Sequence, residues 1–345
     1  MSLADTQRAQ IMNDLINTLG ENNGVLETKA FAAAHGITQQ SVYRYIARLE
    51  SEHLIVKELT GKKQRIHFVD ESLQFTLETG KFDEDYVWRR QIHPFLSDIP
   101  RIPYENLLYA CTEMLNNANE HSEGTAVTVQ VIKNIYCVKV IISDDGIGIF
   151  TKISRAMNLP EKSFAILELA KGKFTTDPNS HTGEGIFFSS KIVDRFMIES
   201  DGLFFYGDSS HESQLLDTSA NDSPGTTVFM EIKLSHQERS SDVFNRFIDD
   251  PDTYGFNKTI VPVRLLEYGD ATPMVVSRSQ AKRLMVRFER FTNIILDFTG
   301  VEEIGQGFAD ELFRVFQTQH PGTVLTPINC SSQIQKMISR VQHTL

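Results

Sequence analysis

Glu113 and Asn117 stand four residues apart in the stretch EMLNNANEHS, residues 113–122. On a helix that spacing sets a carboxylate beside a carboxamide. The carboxylate could orient or deprotonate a water, and the carboxamide could ligate a divalent metal. The stretch closes an apolar run, ENLLYACTEML. At about 100° per residue, Leu107, Cys111, Met114, Leu115 and Ala118 share one face. The spacing predicts a buried helix with Glu113 and Asn117 on the flank of that face. In isolation the pair reads as two solvated polar residues; three motifs nearer the C-terminus change that reading.

Each of the three contains glycine, and they come in the order SDDGIGIF (143–150), HTGEGIFF (181–188) and PGTTVFMEI (224–232). In the first, a carboxylate precedes Gly-x-Gly at the end of an apolar strand pattern. Gly146 and Gly148 would let the backbone approach a ligand, and Asp144 could accept a hydrogen bond from an exocyclic amine. In the second, Gly183 and Gly185 open a helix, whose free N–H groups and dipole would face an anion. The third adds Gly225 and Thr226. These parts describe a purine pocket, a phosphate cradle, a magnesium ligand and a base.

The elements that must position these residues are legible by period. TAVTVQVI and YCVKVIIS alternate as strands around the turn KN, and FMIES, GLFFYG and TTVFMEI come after the second glycine motif. Residues 151–182 are polar and weakly periodic, which predicts a mobile stretch. Residues 208–225, rich in Ser and Asp, predict an exposed, flexible loop. The segment 256–345 alternates strand and helix patterns, the rhythm of a small α/β layer domain.

Residues 1–75 read as three helices and a hairpin. Ile11, Leu15, Ile16 and Leu19 recur at helical spacing, a short helix stops at Gly36, and Thr38 caps a third with Val42, Ile46, Leu49 and Leu54 inside. IVKEL and RIHFV flank the turn TGKKQ. This order resembles a winged helix-turn-helix domain, whose third helix enters the major groove. That resemblance implies DNA contacts from Gln40, Tyr43, Arg44 and Arg48 on the helix and from Lys62 and Lys63 on the wing. Residues 1–70 hold eight Lys/Arg against eight Asp/Glu, while the whole chain of 345 residues carries a net charge of −11. The acidic total excludes wholesale coating of nucleic acid but permits a local basic surface. The polar stretch 71–90 places a domain boundary near Gly80.

Hydrophobic residues make up 41% of the chain, enough for real cores, and no apolar run approaches the roughly 20 residues of a membrane span. The cysteines Cys111, Cys137 and Cys330 are scattered, without CxxC spacing. The expectation is a cytoplasmic, reduced protein with no structural zinc and no membrane partner.

In order and residue type, the central motifs resemble the GHKL (Bergerat-fold) ATPases, over about 150 residues. The resemblance implies ATP and Mg2+ as cofactors. It implies Glu113 as the water-activating base and Asn117 as the magnesium ligand. Asp144 would bind the adenine amino group, with Gly146 and Gly148 shaping the turn. Residues 151–182 would form the ATP lid, Gly183 and Gly185 the phosphate turn, and Thr226 would lie near the adenine. Two departures stand out: Glu120 occupies a position that is usually basic in histidine kinases, and Glu184 sits between the lid glycines. The segment 256–345, with SRSQAKRL and IILDFTGVEEIGQGFADELFRVF, resembles a STAS-like domain of uncharacterised function. Related anti-sigma antagonists carry a serine where this chain has Ile304 to Phe308, without a hydroxyl.

The reading is thus a multidomain α+β protein. It has a winged helix at 1–75, a Bergerat-fold α/β sandwich at 82–235 and a small α/β STAS-like domain at 256–345. The expected function is an ATP-binding, ATP-hydrolysing transcriptional regulator, with a protein partner or self-association through the STAS-like domain. The alternatives are an anti-sigma-type serine/threonine kinase acting in trans, and an ATPase switch in a defence or stress system.

Overall fold

The computed structural model describes residues 3–60, 63–174, 183–208, 214–217, 224–248, 256–269 and 274–342. The chain is multidomain and α+β.

The N-terminal unit comprises α1 (Leu3–Glu21), α2 (Thr28–Ala34), α3 (Gln39–Ser51), β1 (Ile55–Thr60) and β2 (Lys63–Phe68). Thr38 caps α3 by accepting the Ser41 N–H at 3.2 Å. Val42, Ile46 and Leu49 point inward from α3 onto Leu15 and Leu19 of α1, in a hydrophobic cluster of their own. β1 and β2 pair antiparallel from Ile55↔Phe68 to Thr60↔Lys63.

A seven-stranded antiparallel sheet dominates the middle of the chain, in the order β3-β4-β5-β9-β6-β7-β8. β3 is Glu71–Glu78, β4 Ala126–Lys133, β5 Cys137–Asp144, β6 Arg195–Ser200, β7 Leu203–Asp208, β8 Gln214–Asp217 and β9 Thr226–Lys233. Burial alternates along the strands, so Val127, Val129 and Val131 of β4 and Val138, Val140 and Ile142 of β5 face one side. That side is covered by a helical layer. α4 (Glu84–Val87), a π turn (Trp88–Ile92) and α5 (His93–Leu96) lead to α6 (Arg101–His121). α7 (Ile149–Met157), α8 (Phe164–Lys171), α9 (Gly185–Ile192) and α10 (Ser240–Asn245) complete the layer. On α6, Leu107, Cys111, Met114, Leu115 and Ala118 are all buried, as their spacing requires.

The C-terminal unit has a three-stranded parallel sheet, β10 (Lys258–Pro262), β11 (Asn293–Asp297) and β12 (Val324–Ile328). Packed on it are α11 (Arg278–Met285), α12 (Gln306–Asp310) with a π turn (Glu311–Phe316) and α13 (Gln317–Gln319), and α14 (Ser332–Gln342). A capping box starts α11, with Ser277 and Gln280 reciprocally bonded. The core of the central sheet runs unbroken into this unit, joining Phe187 and Val228 to Val261, Leu284, Phe288 and Phe308 in one cluster.

Three expectations change. Residues 71–78 are not a polar approach to a boundary but an edge strand, β3, in full register with β4. The exposed face of an edge strand carries polar residues, so the alternating Leu73, Phe75 and Leu77 were masked by their neighbours. Within 208–225, Gln214–Asp217 pairs with β7 instead of belonging to a loop. Residues 151–174 are not a loose stretch either: α7 and α8 are packed, and every residue of α8 is buried. Residues 175–182, the remainder of the expected lid, lie outside the described residues.

Candidate functional site

α6, β5, α7, α9 and β9 enclose a cavity of about 320 Å³. Glu113 and Asn117 reach it from successive turns of α6, as the four-residue spacing demands, and Asn116, His121 and Ser122 line it from the same helix end. Its apolar wall includes Met114, Ile142, Ile149, Ile153, Ile198 and Val228. Of the sequence-predicted residues, Glu113, Asn117, Asp144, Gly148, Gly183, Gly185 and Thr226 converge here. Gly146 does not line the cavity; it donates its N–H to Asp144 Oδ1 at 2.9 Å.

Asp144 ends β5, where the strand delivers its side chain to the cavity. Its Oδ1 accepts from the backbone N–H of Gly146 and, at 3.2 Å, of Thr226. Oδ2 is engaged by no described residue and remains as an acceptor. Burial pushes the carboxyl above the ordinary aspartate range, and the two N–H groups pull it partly back. The neighbouring Asp145 has a different task. It accepts from the Thr125 hydroxyl and N–H, each at 2.6 Å, and from the Ala126 N–H at 2.9 Å. These bonds, the Thr125 hydroxyl first, draw its carboxyl down to about 2. Asp145 therefore stitches the start of β4 to the end of β5, and only Asp144 serves the cavity.

The turn after β5 needs glycine at 148, where φ is +83° and a Cβ would lie 2.6 Å from Ser200 Oγ and 2.7 Å from Asp201 Oδ2. The next N–H, of Ile149, donates to Thr226 Oγ1 at 3.0 Å and Ser200 Oγ at 3.1 Å. Thr226 is thus held at both its N–H and its hydroxyl. Gly185, the first residue of α9, lies so close to Glu113 that a Cβ would overlap the carboxylate. The positive end of α9 therefore faces the Glu113 carboxylate on the flank of α6. Tyr109 sits beside them; burial first, then the charges of Glu113 and Glu184, hold its phenol protonated.

Sequence reasoning missed Lys152, Ile149, Ile153 and Phe174, which also line the cavity. Lys152 donates to the His121 carbonyl at 2.6 Å and lies 3.3 Å from Glu123. The helical spacing of Ile149, Lys152 and Ile153 carries the signal, which the polar composition of the residues after them obscures.

In the N-terminal unit, Gln40, Tyr43, Arg44 and Arg48 are all exposed on one side of α3. Arg44 donates to Ser41 Oγ at 3.2 Å and Arg48 to Glu52 at 2.8 Å. Lys62 and the side chain of Lys63 lie outside the described residues, although the Lys63 backbone pairs with Thr60. Among the described residues no helix is long and apolar enough to cross a membrane, and no cluster of three His, Cys, Asp or Glu could hold a metal unaided.

No curated protein matches the chain. Residues 280–335, from α11 into α14, match the model of the STAS-like domain of unknown function (DUF4325), so the C-terminal unit carries a STAS-like domain.

Proposed function

We propose that the cavity binds ATP with magnesium, in a central domain of the GHKL (Bergerat-fold) type. In this proposal a winged-helix N-terminal unit contacts DNA through the exposed face of α3. The observation that carries the reading is the convergence of Glu113, Asn117, Asp144, Gly148, Gly183, Gly185 and Thr226, drawn from four separate motifs, on one cavity.

The residues present fit such a ligand. Asp144 Oδ2 is left to accept from an amine, and Met114, Ile149, Ile153, Ile198 and Val228 offer apolar surface to a planar base. A cavity of about 320 Å³ lies within the range usual for small ligands, roughly 300–1,000 Å³. The first N–H groups of α9 supply donors for phosphate oxygens. Asn117 would hold magnesium through its carboxamide oxygen; when bound, the metal neutralises phosphate charge. Glu113, one turn earlier, would accept a hydrogen bond from a water and take its proton on Oε as the water oxygen bonds the γ-phosphorus and the bond to the β–γ bridging oxygen breaks, releasing ADP and inorganic phosphate. The contact of Glu113 with Gly185 sets that carboxylate beside the phosphate-facing helix end.

Calorimetry of the full chain with ATP and magnesium, then an assay of free phosphate, tests the reading. Binding with slow release of phosphate is expected. Binding without release would transfer the proposal to a kinase awaiting a protein substrate. Absence of binding to the full chain would overturn the nucleotide assignment.

A further inference from the structure

α8 packs against α7 and α9 of the central layer on one side and against the C-terminal unit on the other. At its N-terminal end the Arg283 guanidinium lies 3.9 Å from the centre of the Phe164 ring. At its C-terminal end three charged groups are buried together: Glu168 is 1% exposed, Lys171 is fully buried and Arg287 is 9% exposed. Lys171 donates to Glu168 Oε1 at 2.6 Å and to the Val286 carbonyl at 3.0 Å. Arg287 lies 3.1 Å from Glu168 Oε2. Its guanidinium also donates to the carbonyls of Glu168 at 3.0 Å, Gly172 at 2.7 Å and Lys173 at 3.3 Å.

The Glu168 carbonyl belongs to the last turn of α8, which a helix end leaves without intrahelical partners, and those of Gly172 and Lys173 follow directly after it. Beside the local cap, in which the Gly172 N–H donates to the Leu169 carbonyl at 3.1 Å, Arg287 adds a second one supplied from more than a hundred residues away. To do so it adopts φ +65°, a left-handed conformation that residues with a side chain rarely take. The segment it grips runs directly to Phe174, over whose ring Arg287 lies at 5.5 Å. Phe174 lines the cavity.

We propose that Arg287 is a positioning residue for the cavity, through which the STAS-like domain sets the place of the Phe174 wall and hence the affinity for the ligand. The inference deepens the nucleotide reading and rests on it for the choice of ligand, ATP. A partner that displaces the turn after α11 would release the carbonyls of Glu168, Gly172 and Lys173 together. The Phe174 wall would then move away from the cavity.

The test uses the full chain and three variants: Arg287→Lys, Phe174→Ala and both together. Lysine keeps a positive charge opposite Glu168 but cannot reach three carbonyls. If Arg287 acts through Phe174, each single variant weakens magnesium–ATP binding about tenfold and the double variant is no weaker than either, because residues in one chain of contact are not additive. Hydrogen exchange at Glu168 to Phe174 should rise in Arg287→Lys. Affinity within twofold of wild type in Arg287→Lys, or effects of the two substitutions that multiply, would overturn the proposal. Failure of the wild-type chain to bind ATP would instead sink the nucleotide reading. In that case exchange decides the clamp, and unchanged protection of Glu168 to Phe174 in Arg287→Lys refutes it.

Discussion

The two flanking units meet the central sheet in different ways. The STAS-like domain shares its core: buried side chains pass from Phe187 to Phe256 and on to Phe291 with ring centres 4.6 and 5.6 Å apart. The N-terminal unit keeps a core of its own and touches the sheet through a thin rim. There Tyr136 stacks on Phe68 at 5.6 Å, Lys233 pairs with Glu21 at 2.8 Å and Ser235 donates to Asn17 at 2.9 Å. Shared apolar burial contributes about 1.5–3 kcal/mol per large side chain, whereas exposed ion pairs contribute about 0–1 kcal/mol. The difference teaches which unit can move. The rim contacts of the N-terminal unit give way at small cost, whereas the STAS-like domain moves only by breaking a core it shares with the central sheet.

The largest expected effect breaks the shared core. Phe288 is fully buried, meets Phe316 edge-on at 5.8 Å and lies under Lys171. Phe288→Ala should cost about 3–5 kcal/mol and lower the unfolding of the central and STAS-like units as one calorimetric transition. A lowered STAS-like transition beside an unmoved central one would show that the two are separable.

Next comes the cavity. Asp144→Asn turns the open acceptor into an amide and should weaken ATP binding at least about fiftyfold in calorimetry, roughly the cost of one charged hydrogen bond. Wild-type affinity should also fall on acidification, starting above the usual aspartate range, because burial raises the pH at which Asp144 loses its charge. Undiminished affinity in the variant would remove Asp144 from the site.

Lys233→Ala should shift stability by no more than about 1 kcal/mol while loosening the N-terminal unit, read as faster exchange in α1 without change in β9. A change in ATP affinity would mean that this rim, too, is coupled to the cavity.

The smallest effect is a pH dependence at the far end of β9. His236 sits 3.1 Å from Asp194, which also accepts the Lys233 N–H at 2.7 Å. Burial works against charge on the imidazole. The Asp194 hydrogen bond and charge outweigh it, so the ring titrates above its ordinary range. A group whose pKa is raised on folding adds stability that is full below its unfolded value, near 6.5, and is lost as pH rises through the folded one. A loss of about 1 kcal/mol across that window, absent in His236→Gln, is expected from denaturant titrations.

The convergence of the candidate residues on one cavity was largely legible because their spacing is local. Glu113 and Asn117 need only helical spacing, and Asp144 needs only a strand leading into Gly-x-Gly. What escaped was set by distant contact. FAILELAK, apolar on all sides of a helix yet bearing Glu168 and Lys171, carries no amphipathic stripe, and it is buried between α7 and α9 and the distant β10, with Arg287 bonding the Glu168 carbonyl across 119 residues. β3 escaped because an edge strand is half polar. The long π turns at Trp88–Ile92 and Glu311–Phe316 left no mark in the hydrophobic period.

Between Phe68, where β2 ends, and Glu71, where β3 begins, lie only Val69 and Asp70. Both are tied down: the Val69 N–H donates to the Leu54 carbonyl at 3.0 Å, and Asp70 accepts from Asn134 at 2.7 Å. Such a short hinge cannot absorb rotation as slack. Any swing of the N-terminal unit is delivered as torque to the rim of the sheet, through a strand whose register with β4 runs from Glu71↔Lys133 to Glu78↔Ala126. β4 is joined in turn to β5, which ends at Asp144. A load applied to the N-terminal unit therefore has a two-strand lever leading to the acceptor in the cavity.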